Sequence, residues 1–145
     1  MYRNKVKVYG QQGALTAEVT PLSRATEQIP TLSLDVAKKS PNNKFAWQEK
    51  ISAQLSPTEL PELCALLLGR ISQMQIKRPE KWMELIAQEG GLFLKAGATD
   101  QNIIALPIEK GSIFQLTTMC LELLKTQNNT QDASVIAIAL RAFDR

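Results

Sequence analysis

The sequence predicts an α+β domain made of two tandem units, each consisting of antiparallel β-strands followed by an α-helix, with a short helix near the C-terminal end. Three observations support this fold class. Several stretches alternate polar and apolar residues, two later stretches carry an apolar stripe at helical spacing, and the second pattern repeats the first. A length of 145 residues fits one domain, 1–145, with units at about 1–76 and 77–126.

The first unit begins with strands. Lys5–Tyr9 alternates in polarity, the turn 10–13 contains two glycines, and 14–20 is predicted to be the returning strand. The polar stretch 21–30 predicts a loop, and 31–37 alternates again.

A basic turn, 38–43, is followed by a further alternation that continues to Leu55. It predicts one long strand from Lys44, with Phe45 and Trp47 on its apolar face and Lys44 and Lys50 on its polar face.

The first helix is predicted to start at Ser56. A serine N-cap, Pro57 at the first helical position and Glu59 three residues after the serine form the signature of a capping box. The apolar stripe that follows consists of Leu60, Leu63, Leu67 and Ile71. Gly69, or the run before Pro79, is predicted to end the helix.

The second unit has the same order of elements. Strands are predicted at Lys81–Gln88, 92–96 and 102–108, and a helix at 109–125. A short C-terminal helix is predicted at about 132–143.

An internal repeat relates the two strand-to-helix corners by a shift of 53 residues. The shift pairs apolar residues, namely Ile51 with Ile104, Leu55 with Ile108, Leu63 with Leu116 and Ile71 with Leu124. The two units are therefore expected to bury equivalent helix faces against equivalent sheets.

Residues 104–116, Ile-Ala-Leu-Pro-Ile-Glu-Lys-Gly-Ser-Ile-Phe-Gln-Leu, are similar to the strand-to-helix corner of plant Whirly proteins. The first corner, 51–60, resembles that of a transcriptional-coactivator domain with the same fold, which is shared with the kinetoplastid guide-RNA-binding proteins. The resemblance implies a Whirly-like fold, binding of single-stranded nucleic acid, and oligomers formed through the helices. The Lys-Gly-Lys-Ala-Ala-Leu signature of plant Whirly proteins is absent, so no binding residue is transferred from the family.

The candidate binding residues come instead from the distribution of charge. Residues 1–50 contain eight Lys/Arg and four Asp/Glu. Lys5, Lys7, Lys44 and Lys50 lie in predicted strands that also contain aromatic residues, and Lys38 and Lys39 lie in the turn between strands. Lysines can neutralise phosphates while aromatic rings stack on bases. The candidate nucleic-acid-binding residues are Lys5, Lys7, Tyr9, Lys38, Lys39, Lys44, Trp47 and Lys50.

Two structural alternatives stand beside this interpretation. Lysines on the outer face of a strand also serve as a solvated surface or protect a sheet edge. Phe45 and Trp47 share the parity of Ile51, so they are candidates for core packing as well as for stacking.

Composition argues against catalysis. Histidine is absent, which removes most hydrolase triads and histidine-based metal sites, and no carboxylates have metal-ligand spacing. Cys64 and Cys120 lie among leucines and are expected to be buried and unpaired. We therefore expect no enzyme activity, cofactor or metal, no membrane segment, and a cytoplasmic protein.

Two functions remain. The first is binding of single-stranded nucleic acid, with DNA the first candidate and RNA the second and with low sequence specificity, by a homo-oligomer (a dimer or tetramer) formed through the helices. The alternative is a non-catalytic protein-interaction or assembly module that binds no nucleic acid. It is suggested by an apolar surplus in the first helix, namely Leu63, Leu66, Leu67 and Leu68.

Overall fold

The computed structural model describes residues 4–22 and 29–144, which form two antiparallel four-stranded sheets and three α-helices. The first sheet consists of β1 (Lys5–Tyr9), β2 (Gly13–Pro21), β3 (Pro30–Lys38) and β4 (Ile51–Gln54) in the order β1-β2-β3-β4. The second consists of β5 (Gln73–Arg78), β6 (Lys81–Gln88), β7 (Gly91–Ala98) and β8 (Gln101–Glu109) in the order β5-β6-β7-β8. The helices are α1 (Glu59–Leu67), α2 (Lys110–Gln127) and α3 (Ala133–Ala139), and α3 continues into a 3-10 turn, Leu140–Phe143. The predicted α+β class, the two tandem units and the C-terminal helix are confirmed.

Each sheet buries one face against the helices. The period of two is visible in β1, where Val6 and Val8 are buried while Lys5, Lys7 and Tyr9 face outward. Helix α2 contacts α1 and strands of both sheets, so a single hydrophobic core joins the two units. The outer faces of both sheets are left for other roles.

One end of the first sheet packs along β8. The register places Tyr9, Gly13, Lys38 and Ile51 at this same end. Gly13 lies so close that an added Cβ would be 2.5 Å from Cγ2 of Ile104. We call the line along which these strand ends meet β8 the seam.

A polar cluster connects the two units beside α1. The guanidinium of Arg78 donates from Nη1 to Oε2 of Glu59 at 2.9 Å and from Nη2 to Oε1 at 2.5 Å. Nη2 also donates to the carbonyl oxygen of Gln54 at 2.8 Å. The predicted capping box is present, because Ser56 N donates to Oε1 of Glu59 at 3.0 Å and Glu59 N donates to Oγ of Ser56 at 3.2 Å.

The predicted long strand from Lys44 to Leu55 is wrong. β3 ends at Lys38, so the residues after it have no long neighbouring strand to pair with, and only an isolated bridge joins Lys39 to Phe45. The chain then forms a 3-10 turn, Trp47–Glu49, before β4 begins. Lys44 and Lys50 therefore do not share a strand face.

Strand β5 was not predicted from the sequence. Helix α1 ends at Leu67, and Gly69 adopts a φ of +81°, which turns the chain out of the helix. All of β5 belongs to the second sheet, so the units divide before Gln73 rather than between residues 76 and 77. Most of the predicted loop 21–30 lies outside the described residues.

Candidate nucleic-acid interface

The end of the first sheet that forms the seam carries most of the predicted binding residues. Six of the eight lie there, in the order Tyr9, Lys38, Lys39, Lys44, Trp47 and Lys50. The other two, Lys5 and Lys7, continue along β1 away from the seam. The fold thus brings together residues from three separate segments of the first unit.

Tyr9 presents an accessible aromatic ring at the end of β1. Its side chain is 60% exposed, and its ring centroid lies 5.5 Å from that of Phe45, with the planes inclined at 42°. This tilted contact supports one side of Tyr9 and leaves much of the ring open.

A cavity of about 420 Å³ lies between Tyr9 and the second sheet. The turn after β1 lines one wall, and Phe93, Ala105 and Pro107 of β7 and β8 line the other. We call it the Tyr9 groove. It places aromatic side chains of both sheets around one space that can hold a flat ring.

A second cavity, of about 670 Å³, lies at the other end of the seam. It is lined by Trp47 and Lys50, which lie just before β4, and by Lys81 and Gln101 from the second sheet, and we call it the Trp47 groove. Trp47 is half-buried and outside the core cluster. Oε1 of Gln101 is buried and accepts no hydrogen bond from the described residues.

The outer face of the second sheet carries aromatic and apolar side chains as well as the hydrogen-bonded pair Gln75 and Glu84. The indole of Trp82 lies against Gly97, where an added Cβ would be 2.6 Å from the ring. Ile103 on β8 is 61% exposed. Trp82 and Phe93 were not among the predicted site residues, although the strict alternation of β6, with Met83 and Leu85 buried, would have placed Trp82 on the outer face.

Loop 39–46, which we call the basic loop, overhangs the seam beside a cavity of about 740 Å³. Ser40 holds it closed, since its backbone N–H and its hydroxyl both donate to the carbonyl oxygen of Lys44, at 2.6 and 2.7 Å. Asn43 completes the turn with a φ of 65°. Lys39 and Lys44 line the cavity on this ordered support.

The predicted lysines differ in how far their charge is compensated. Three form ion pairs: Lys5 Nζ with Glu18 at 3.4 Å, Lys38 Nζ with Glu49 at 3.9 Å, and Lys50 Nζ with Asp35 at 3.2 Å. Within residues 4–22 and 29–144, Lys7, Lys39 and Lys44 have no carboxylate partner within 4.0 Å. The most available positive charge at the seam is therefore that of the basic loop.

The architecture has close counterparts among solved structures. The plant transcriptional regulator PBF-2 superposes with a TM-score of 0.68 at 16% identity, covering 100% of this chain and 98% of that one. WHY3 from Arabidopsis thaliana gives 0.67 at 18% identity, covering 98% and 96%. The MRP1/MRP2 trypanosome structure gives 0.63 at 14% identity, covering 86% and 85%.

The chain has a Whirly-like fold. No family model matches the sequence, and no curated protein matches it significantly. The fold is therefore shown by structure, and the residues that serve this Whirly-like chain must be argued from its own geometry.

The helical side of the Whirly-like fold exposes apolar side chains as well. Phe114 on α2 is 70% exposed, and Val135 and Ile138 on α3 are 50% and 59% exposed. The apolar surplus predicted for α1 is smaller than expected, because Leu63 and Leu66 are buried and, of the four leucines, only Leu68 is exposed, at 43%. None of the described helices is long and apolar enough to cross a membrane.

The two thiols of this Whirly-like chain are poor nucleophiles. Burial raises the pKa of Cys64 to about 12. Burial, together with the neighbouring Cys64, also raises the pKa of Cys120 well above its ordinary value. Both thiols are free and buried, as predicted.

Proposed function

We propose that this protein binds single-stranded nucleic acid along the seam, with DNA the first candidate and RNA the second, and with little sequence specificity. The observation that carries the proposal is the Tyr9 groove, in which an exposed ring of the first sheet and Phe93 of the second line one cavity beside the cationic basic loop. The similarity to the Whirly fold, a fold of single-stranded-DNA-binding proteins, supports it independently.

Binding would combine stacking with charge neutralisation. A base that enters the Tyr9 groove stacks on an aromatic face, which contributes about 1–3 kcal/mol per base in proteins of this class. Lys39 and Lys44 would contact phosphates of the same strand. A duplex keeps its bases paired and stacked on each other, so it cannot insert one into the groove without breaking a pair.

Low sequence specificity is expected from the groove walls. Tyr9, Phe93, Ala105 and Pro107 offer ring faces and apolar surface, which every base can contact. Binding needs no catalytic step, and the proposed activity is not enzymatic.

The test is fluorescence anisotropy of a labelled single-stranded 20-mer, with the matching duplex as a control. We expect Tyr9→Ala to weaken single-strand binding by about 5- to 150-fold, the equivalent of one lost stacked base. Arg141→Ala is the control, because this exposed side chain lies on the 3-10 turn after α3 and is not among the residues proposed for the subunit contact. Absence of single-strand binding at low salt would refute the proposal.

We further propose that the protein acts as a homo-oligomer, a dimer or tetramer, associated through its helical side. The exposed Phe114, Val135 and Ile138 support this, since an apolar helix face is typical of a subunit contact. Light scattering coupled to size exclusion is expected to show an oligomer that Phe114→Ser weakens. An oligomer that binds no nucleic acid would favour the alternative, an assembly module.

A further inference from the structure

We propose that two copies of this chain associate through strand β5, whose free edges pair antiparallel and join the second sheets of the two protomers into one continuous sheet. The contact is separate from the helical side, and it does not depend on nucleic-acid binding. It is supported by an open strand edge, by the residues that would face each other across it, and by a comparison with β1.

The ladder between β5 and β6 leaves the other edge of β5 open. The backbone N–H of Ala87 donates to the carbonyl oxygen of Ser72 at 2.8 Å, and the bonded residues alternate along an antiparallel ladder, so every second residue counted from Ser72 bonds to β6. The residues between them turn their N–H and C=O groups away from β6, and they are Gln73, Gln75 and Lys77.

No strand of the part of the chain that the structure describes lies beside this edge, because β5 is the first strand in the order β5-β6-β7-β8. Among residues 4–22 and 29–144, the only hydrogen bond to an outward backbone group comes from Nη1 of Arg78, which donates to the carbonyl oxygen of Lys77 at 2.8 Å. That oxygen keeps a second lone pair. A row of unpaired backbone groups is a template for one further strand.

A second copy of β5 matches this edge. The antiparallel register that pairs the most residues is centred on Gln75, which then faces the same residue of the other copy. This register places Lys77 opposite Gln73 of the other copy, and Arg78 opposite Ser72. No like charges face each other, and each pair of outward residues exchanges two backbone hydrogen bonds.

Strand β1, an edge strand of the first sheet, lacks this match. The backbone N–H of Val19 donates to the carbonyl oxygen of Asn4 at 2.9 Å, so the outward groups of β1 belong to Lys5, Lys7 and Tyr9. Two copies of β1 centred on Lys7 would set two ammonium groups directly opposite each other, which is destabilising. We therefore assign the contact to β5, where the lysine faces a neutral side chain.

The contact is small, and its size predicts how it behaves. Strand β5 has six residues, which bury less area than a stable dimer interface needs, so the pairing should be weak and should depend on protein concentration. Because the strand edge and the helical side are separate surfaces, a chain that uses both assembles beyond a dimer.

Cysteine cross-linking tests the register. Gln75→Cys would bring two thiols opposite each other on Cα atoms about 5.5 Å apart, within the range of a disulfide. Oxidation with diamide, which takes up the two thiol hydrogens, should then give a covalent dimer on a non-reducing gel. The native Cys64 and Cys120 are buried and should not contribute.

Gln73→Cys is the matched control, because it introduces a thiol at an equally exposed position on the same face of β5. In the proposed register its two copies lie four residues apart along the paired strands (77 − 73 = 4), about 13 Å, which a disulfide cannot span. We expect the yield of dimer to be at least about fivefold higher for Gln75→Cys than for Gln73→Cys.

Gln75→Lys gives a second measurement that needs no oxidant. It sets two like charges opposite each other at the centre of the contact, whereas within one protomer the new ammonium lies beside Glu84, which now accepts a hydrogen bond from Gln75 at 3.1 Å. Light scattering over a concentration series should show weaker association than in the unmodified protein. Gln48→Lys, an exposed position in the 3-10 turn before β4, should not change the association.

Three results would overturn the pairing: no cross-link in Gln75→Cys, equal cross-linking in both cysteine variants, or unchanged association in Gln75→Lys. The proposed binding of nucleic acid is tested separately, because no residue of β5 lines the Tyr9 groove.

Discussion

The salt dependence of binding gives the sharpest test of the basic loop. We consider the double substitution Lys39→Ala and Lys44→Ala, which removes the two seam lysines that have no carboxylate partner in the described part of the chain. Both are held on an ordered turn closed by Ser40, whose hydrogen bonds to the carbonyl oxygen of residue 44 need no lysine side chain. The substitution should therefore change charge and leave the loop in place.

The expected magnitude follows from counterion release. Each phosphate neutralised on a single strand contributes about −0.7 to the slope of log K against log[salt], so losing two contacts reduces the slope by about 1.4. Between 50 and 200 mM salt, the affinity of the unmodified protein should fall by about sevenfold more than that of the variant, since 4 to the power 1.4 is about 7. The two proteins should thus converge at high salt.

A second pair of lysines provides an internal comparison. Lys44→Ala with Lys50→Ala should reduce the slope by less, because the ammonium of Lys50 already lies 3.2 Å from a carboxylate oxygen of Asp35. Arg141→Ala removes an exposed cation from the 3-10 turn on the helical side and is expected to leave the slope unchanged. Anisotropy titrations at four salt concentrations measure all the slopes. Equal slopes for the basic-loop variant and the unmodified protein would refute the assignment of phosphates to this loop.

Three further predictions concern single positions. Gly97→Val should push the indole of Trp82 off the sheet and shift its fluorescence, because a Cβ added at Gly97 would lie 2.6 Å from the ring. An unchanged emission spectrum would contradict this. Burial opposes ionisation of Glu59, but the hydrogen bonds and charge of Arg78 outweigh it and lower the Glu59 pKa. A carboxylate whose pKa is lower in the folded than in the unfolded protein stabilises the fold at pH values above its unfolded pKa, and this stability is lost as the pH falls through its folded pKa. Glu59→Gln should therefore make the urea concentration of half-unfolding depend less on pH in the acid range. The Cys64 thiol, whose pKa burial raises to about 12, should react with a thiol reagent only at the rate of unfolding, and rapid labelling of the native protein would contradict its burial.

The fold could be predicted from local patterns because most of its elements bury one face. The period-two alternation of Lys5–Tyr9 and Lys81–Gln88 and the capping box at Ser56 were each recognisable without knowledge of the tertiary structure. The shift of 53 residues identified two equivalent corners, and Ile51 and Ile104 are both buried, as the repeat requires.

The predictions failed for segments whose secondary structure depends on a neighbouring strand to pair with. Residues 44–50 alternate like a strand, but β3 ends at Lys38 and the chain turns instead. The six residues of β5 contain only two buried apolar positions, Met74 and Ile76, too short a signal to separate from the end of a helix.

The site was predicted in part for a related reason. The lysines and Tyr9 could be identified as candidates from the charge distribution and the strand patterns. The opposite wall of the Tyr9 groove, however, is formed by Phe93 and Pro107, about 85 to 100 residues later in the chain. Only the packing of the first sheet across β8 brings them together, and no local pattern encodes that contact.

The order of the strands also has a consequence for how the protein folds. In both sheets each strand pairs with the next one along the chain, so every ladder can close through a hairpin or a single loop. Short loops have a low entropic cost of closure, so the strands of each sheet can begin to pair locally, but the first sheet also needs α2, which contacts β1 and β3, to cover its apolar face. The contacts between Gly13 and Ile104 then join parts of the chain 91 residues apart (104 − 13 = 91) and form last. A chain emerging from the ribosome could therefore pair the strands of its first sheet early, yet it would cover that sheet and acquire the seam only after α2 and β8 had been synthesised.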